Sequence, residues 1–299
     1  MHILFLAARR AALATALGLL PSTGAAQADW AAVDQAMGRP GVMQPGEVRR
    51  YGFPRADLHV SVDGVVVRPA LALGSWVALV PTAGGHAMAM GDLVLLESEV
   101  TPVLSALTAR GIRVTALHNH LQRESPHIMY MHVEGDGDPR RIAEAIRTAL
   151  DLTGTPSAPP AAATGAFNLD TARLASALGH GGKVNGGVYQ VSVPRPEPVR
   201  MAGIEVPPAM GVATAINFQP TGGAKAAITG DFVLTADEVN PVLKALRGGG
   251  IEVTALHSHM LGEQPRLFFM HFWADDDAVR LAGTLRAALD HTRTQSRGT

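Results

Sequence analysis

The chain has 299 residues, 47% of them hydrophobic and 17% charged. That length suits two domains or one duplicated unit, and that apolar fraction excludes wholesale disorder. Twenty-five basic residues against 26 acidic ones leave no electrostatic footprint for nucleic acid, and the lack of cysteine excludes disulfides, thiolate metal sites, thiol nucleophiles and a lipid anchor on an N-terminal cysteine.

Residues 1–28 contain no acid. Arg9 and Arg10 precede the apolar run Ala11 to Leu20, and Ala26-Gln27-Ala28 supplies a small-residue cleavage pattern. Together these predict a signal peptide cut before Asp29, and so an exported mature chain, periplasmic or secreted. The apolar run is too short to span a bilayer, which needs about 20 residues. No other stretch is long and apolar enough, so no transmembrane segment is expected.

The rest reads as one unit written twice. Shifted by 139 positions, residues 91–132 fall on 230–271 with 23 of 42 pairs identical, among them Val114-Thr115-Ala116-Leu117-His118 over Val253-Thr254-Ala255-Leu256-His257. Two copies at so long a period point to duplicated domains and not to a solenoid. The expected organisation is a first repeat over 29–153, a Pro/Ala/Gly linker over 154–167, a second repeat over 168–293, and a tail over 294–299.

In each repeat a short helix comes first, Asp29 to Met37 or Asn168 to Leu178, closed by Gly38 or Gly179. Short strands follow, around Val48–Gly52, Leu58–Val62, Val65–Val67, Trp76–Val80 and Ala89–Leu95 in the first copy. Glu99 to Arg110 reads as a helix with Ser98 as N-cap and Gly111 as its stop. Strands are expected over Ile112–Leu121 and His127–Glu134 around a turn containing Pro126, and then a helix over Pro139–Leu150 capped by Asp138. The fold class is α+β: a tandem duplication of a mostly antiparallel sheet with helices packed on one face, in a pseudo-twofold two-domain chain.

Histidines carry the chemistry. His118, His120 and His132 recur as His257, His259 and His271, with Glu124 and Glu263 four residues after the second histidine of each set. Residues i and i+2 of a strand share a face, so His118 and His120 stand side by side. A turn centred near residue 125 pairs His132 with His118 and Tyr130 with His120. Leu117, Leu121, Met129, Met131 and Val133 then form the opposite, helix-packed face. Three neutral imidazoles and a nearby carboxylate make a first shell for a divalent transition metal (Zn, Mn, Fe, Ni or Cu), one site per repeat, with Glu124 and Glu263 as further ligands or as bases acting on metal-bound water. If only one repeat is active, Tyr130 favours the first, because Phe269 replaces it in the second. Arg55 and Asp57 stand two apart and read equally well as an ion pair or as ligand-binding residues. Asp136, Asp138, Asp275 and Asp277 read as helix caps.

The segments ALHNHLQRESPHIMYMHVEGDGDPRRIAEAIRTAL and ALHSHMLGEQPRLFFMHF, with GDLVLLESEVTPVLSAL and the Arg55–Leu58 stretch, resemble the LppY/LpqO family. The resemblance covers nearly the whole mature chain. It implies an exported protein of the cell envelope with peptidoglycan as partner, though no row of aromatic residues suggests a sugar platform. The expected function is thus an envelope binding protein with a histidine metal site in each repeat. The alternatives are a metal-dependent hydrolase or lyase with Glu124 or Glu263 as base, and a structural pseudo-dimer whose histidines only pack.

Overall fold

A computed structural model of the chain describes residues 28–157 and 167–293. The expected signal peptide (save Ala28), residues 158–166 of the expected linker and the tail at 294–299 lie outside the described residues.

The first repeat runs α1 (Trp30–Met37), β1 (Val42–Gln44), β2 (Val48–Pro54), β3 (Ser61–Val62), β4 (Val65–Val66), α2 (Pro69–Ala72), β5 (Gly74–Pro81), β6 (Ala87–Leu96), α3 (Glu97–Thr108), β7 (Arg113–His118), β8 (Glu124–Ser125), β9 (Ile128–Gly137) and α4 (Pro139–Leu150). The second runs α5 (Thr171–Leu178), β10 (Lys183–Asn185), β11 (Val188–Pro194), β12 (Val199–Met201), β13 (Ile204–Val206), β14 (Ala213–Gly222), β15 (Lys225–Leu234), α6 (Ala236–Gly248), β16 (Glu252–His257), β17 (Glu263–Gln264), β18 (Phe268–Asp277) and α7 (Ala278–Leu289). Each repeat builds a six-stranded antiparallel sheet, β1-β2-β5-β6-β9-β7 or β10-β11-β14-β15-β18-β16, and a three-stranded flap, β4-β3-β8 or β13-β12-β17. The chain is a tandem α+β duplication.

Local chemistry fixes the helices. Asp29, Asp138, Asp170 and Asp277 each accept backbone N–H bonds at a helix start, and Gly38 and Gly179 close α1 and α5 in the left-handed region. The α3 helix begins two residues before its expected start. Glu99 reaches back to accept from the Leu96 N–H at 2.8 Å, which makes Leu96 the N-cap in place of Ser98.

One face of each sheet packs on its helices. Tyr51, Phe53, Val77, Leu79, Leu93, Leu95 and Met131 meet Val33, Met37, Val103, Leu107, Ile142 and Ile146, and the second repeat repeats this core. The other face does not meet water. Val48, Ala78, Val80, Met88 and Met90 pack against Met201, Met210, Val233 and Phe269 of the second repeat, and Val94, Tyr130 and Leu71 against Val188, Ala227 and Trp273. The layers are therefore helix, sheet, sheet, helix. This explains why β6 is buried at almost every position, with no alternation of exposed residues.

This inter-repeat layer changes two expectations. The histidine face lies between the repeats. The helix-packed face includes Met131 and Val133, but Leu117 is 42% exposed on an edge strand and Leu121 joins the inter-repeat core. No helix among the described residues is long and apolar enough to cross a membrane.

Candidate metal centre between the repeats

Strand β7 ends at His118, and β9 carries Tyr130 and His132 in its middle. The observed register pairs Ala116 with His132 and His118 with Tyr130, two residues away from the expected pairing. The loop causes the shift: residues 119–127 form no tight hairpin because β8 leaves to pair with β3, and a bulge at Thr115 displaces the ladder by one further residue at Val114. His120 thus sits beyond the strand end. The second repeat has the same bulge at Thr254 and pairs Ala255 with His271 and His257 with Phe269.

The bulge has a use. The Thr115 hydroxyl donates to the His259 carbonyl at 2.6 Å, and the Thr254 hydroxyl donates to the His120 carbonyl at 2.5 Å. Each repeat so fixes the histidine loop of the other, and the pair of bonds obeys the pseudo-twofold relation.

All six histidines meet at this interface. His118 stacks on His257 with ring centroids 3.6 Å apart, His120 on His271 at 3.9 Å, and His132 on His259 at 3.7 Å. Every one of these stacks joins one repeat to the other. Four sets of ligand atoms lie within 4.8 Å of one another: His118, His120 and His132; His118, His257 and His271; His132, His257 and His259; and Asp231, His259 and His271. These clusters can hold a metal ion. Two of the four combine residues of both repeats and two lie within a single repeat, so the histidines of the two repeats form one continuous cluster.

Asp92 and Asp231 supply its carboxylates, on β6 and β15, the strands next to β9 and β18. Asp92 stands across from His132 and Asp231 across from His271. Asp92 Oδ2 lies 3.5 Å from His120 Nε2 and Oδ1 lies 3.9 Å from His132 Nε2; Asp231 Oδ2 lies 3.4 Å from His259 Nε2 and Oδ1 lies 3.9 Å from His271 Nδ1. Sequence reasoning missed both. The available signal was a lone acid in an otherwise apolar strand, inside the repeated Gly-Asp-x-Val-Leu. The glycine before each acid is required by the backbone: a Cβ at Gly91 would lie 2.7 Å from the Trp76 carbonyl oxygen, and one at Gly230 1.9 Å from that of Ala215.

Burial sets the protonation of the whole centre. It brings His118 down to about 3 and His271 down to about 4, and pushes His120, His132, His257 and His259 below the usual imidazole range, with the neighbouring imidazoles adding to the effect. Burial raises Asp92 to about 7 against the attraction of Arg50, and raises Asp231 well above the carboxylate range with Asp92 adding to it. The imidazoles are therefore neutral near pH 7, the form that binds metal. His271 Nδ1 lies 2.8 Å from the Gly230 carbonyl, which orients the ring. Tyr130 and Phe269 stack on His120 and His259, both at 3.4 Å.

Other expected site residues lie elsewhere. Glu124 is buried in β8, where Oε1 accepts from Asn119 Nδ2 and the Ile128 N–H, both at 3.4 Å. Glu263 is buried in β17 and accepts from the Leu267 N–H and Arg266. Both brace the loop after the histidines, and neither belongs to a ligand cluster. The Tyr130 hydroxyl donates to the Ala72 carbonyl at 3.0 Å, so it adds no polar atom beside the imidazoles and gives the first repeat no advantage. Arg55 is fully buried and ties Asp57, Glu99 and the Val94 carbonyl together, as Arg195 ties Glu197, Glu238 and the Val233 carbonyl. These are helix-to-sheet braces.

A family model described as Domain of Unknown Function (DUF1259) matches residues 31–152 and again residues 172–291, once in each repeat. The chain belongs to the DUF1259 family. This match corrects the expected membership of LppY/LpqO. No curated protein matches the chain. Similar solved structures include the trimeric bacterial microcompartment shell protein PduB, 15% identical, covering 84% of this chain and 90% of that one at a TM-score of 0.22. EtuB from Clostridium kluyveri is 12% identical, covering 87% of this chain and 97% of that one at a TM-score of 0.21. Likeness at that level carries no functional argument.

Several functional expectations are corrected with the membership. The DUF1259 description assigns no function, and neither it nor the descriptions of these two structures names an envelope, an exported protein or peptidoglycan. Export, periplasmic or secreted placement and a peptidoglycan partner are therefore withdrawn. A hydrolase or lyase with Glu124 or Glu263 as base fails because neither carboxylate joins the histidines. A pseudo-dimer with idle histidines fails on hydrogen bonding, since packed histidines would find partners and most of these ring nitrogens have none.

Proposed function

We propose that this protein binds divalent transition-metal ions in a centre that its two repeats build jointly. The observation carrying this reading is a set of buried polar atoms without hydrogen-bond partners: both ring nitrogens of His118 and His257, Nε2 of His120, His132, His259 and His271, and Oδ1 of Asp92 and Asp231. Each such atom costs about 1–3 kcal/mol. Ten of them rival the whole net stability of a folded protein, about 5–15 kcal/mol, so a set this large calls for a ligand.

The donor set fits a metal. Neutral imidazole suits Zn, Cu, Ni and Fe, whereas Ca and Mg prefer shells of oxygen. With the ligands drawn from both halves, the ion joins the repeats across their interface.

Elemental analysis after expression in metal-replete medium, followed by Zn²⁺ titration of the chelator-treated chain, tests the reading. The expected result is stoichiometric binding that a folded His118→Ala/His257→Ala double variant largely loses. Equal metal content in the wild type and that variant would sink it.

A further inference from the structure

Resting on that reading, we infer that the ion enters and leaves the centre past the histidine loop of the second repeat, residues 258–262, while the loop of the first, residues 119–123, stays shut. The two loops begin as copies. Asn119 donates to the Ile128 carbonyl at 3.0 Å, and Ser258 to the Leu267 carbonyl at 3.1 Å. Leu121 and Met260 are both buried, and the His120 and His259 carbonyls each accept from a threonine of the opposite repeat.

Further fastenings across the interface belong to the first loop. Gln122 Nε2 donates to the Thr254 carbonyl at 3.0 Å. Arg123 donates to Asp63 at 2.9 and 3.1 Å and to Glu252 of the second repeat at 2.7 and 2.9 Å. Two bidentate pairs on one guanidinium form a network, the arrangement in which exposed charges do hold a structure. The second repeat cannot build its counterpart. Leu261 and Gly262 replace Gln122 and Arg123, Ala202 replaces Asp63, and Arg113 stands where the partner of the opposite repeat would need the acid of Glu252. Among the described residues, the Thr115 bond is the one cross-repeat hydrogen bond on residues 258–262.

That loop is also free to move and carries more of the centre. Leu261 is 65% exposed, and a Cβ at Gly262 would meet nothing within 4 Å. Glycine gains more backbone freedom than any other residue when a loop opens. His259 belongs to two of the four ligand clusters, whereas His120 belongs to one. Lifting His259 therefore undoes more of the ligand set than lifting His120.

Stopped-flow kinetics of the full chain test the route. Zn²⁺-loaded protein mixed with excess chromogenic chelator gives the release rate, and metal-free protein mixed with Zn²⁺ gives the capture rate. Thr115→Val and Thr254→Val lose affinity alike, but the route divides the loss between the two rates. A bond broken on the way out speeds release, and one still intact at that point slows capture instead. Thr115→Val should thus release Zn²⁺ about five-fold faster, the worth of one hydrogen bond, and Thr254→Val at about the wild-type rate. Gly262 lies outside the left-handed region, so Gly262→Ala is tolerated and should slow release about two- to five-fold. Release from Thr115→Val no faster than from Thr254→Val, or unslowed in Gly262→Ala, overturns the route and leaves metal binding standing. A wild type with no Zn²⁺ to release overturns both.

Discussion

His118 and His257 are the same residue of the two repeats, and their rings stack on each other 3.6 Å apart. A residue that touches its own copy lies on the axis relating the copies. That contact places the pseudo-twofold axis through the histidine centre and makes its remaining contacts reciprocal: His120 meets His271 as His259 meets His132. Duplication here preserves an interface that needs both copies, in the manner of a symmetric dimer written as one chain.

The reciprocal threonine bonds give a first prediction. Thr115→Val and Thr254→Val keep the shape of the bulge and remove the bonds to the His259 and His120 carbonyls. Each change should lower stability by about 1 kcal/mol, the worth of one hydrogen bond. Metal affinity should fall too, because the bonds hold histidine-bearing loops. Chemical denaturation and Zn²⁺ titration of both variants check this. Equal effects from the two are expected, and an effect from only one would break the reciprocity.

Metal removal should destabilise the whole chain. An ion that binds only the folded state adds about 4 kcal/mol at a free concentration a thousand times its dissociation constant. Melting curves with excess Zn²⁺ and with chelator should therefore separate clearly. The His118→Ala/His257→Ala variant should melt alike in both. Coincident wild-type curves would count against an ion held between the repeats.

Much of the architecture was legible in the sequence. The 139-residue shift exposed the duplication, and Asp138 with Pro139 marked the start of α4. The histidine positions gave most of the centre. What stayed hidden was where the histidine face goes. A strand pattern separates two faces but does not say that the second is covered by another copy of the same sheet. The register was hidden because residues 119–127 read as a tight turn, whereas β8 leaves to pair with β3. Asp92 and Asp231 were passed over since a single acid between apolar neighbours reads as a strand residue facing solvent. Glu124 and Glu263 drew attention by their proximity in sequence, yet their loops turn them toward backbone N–H groups.

A brace remote from the centre gives a prediction for acid. Glu238, the N-terminal clamp of α6, accepts from Arg195, from the Thr235 N–H and from the Arg293 N–H. Burial opposes its charge, but these bonds outweigh it and hold its carboxyl below the usual range. A depressed folded value means stability present above the ordinary glutamate range and lost as pH falls through the folded one. Glu238→Ala removes the nearer of the two carboxylates on the Arg195 guanidinium and leaves it Glu197 and the Val233 carbonyl, so it should cost about 2 kcal/mol at neutral pH, the worth of hydrogen bonds to a charged group. Denaturation at pH 7 and below pH 4 checks it, with the gap between wild type and variant expected to narrow in acid.

The histidine centre gives the opposite comparison, between metal-free and metal-loaded protein. The folded values lie below the ordinary imidazole value near 6.5, at about 3 for His118 and about 4 for His271. The unfolded chain therefore takes up protons first as pH falls. The imidazole contribution is complete above about pH 6.5 and declines from there toward pH 4, by up to about 1.4 kcal/mol per pH unit for each extra proton bound by the unfolded state, while Asp92 and Asp231, whose folded values are raised, offset part of that loss. Six histidines share this behaviour, so the metal-free chain should show a steep loss of stability across that window. Zn²⁺ should shift the loss to lower pH, until protons displace the ion from the imidazoles. Denaturation midpoints measured at half-unit steps from pH 7.5 to 4, with and without Zn²⁺, decide the matter. A flat metal-free profile would mean that the imidazoles are far better solvated than their burial at the interface implies.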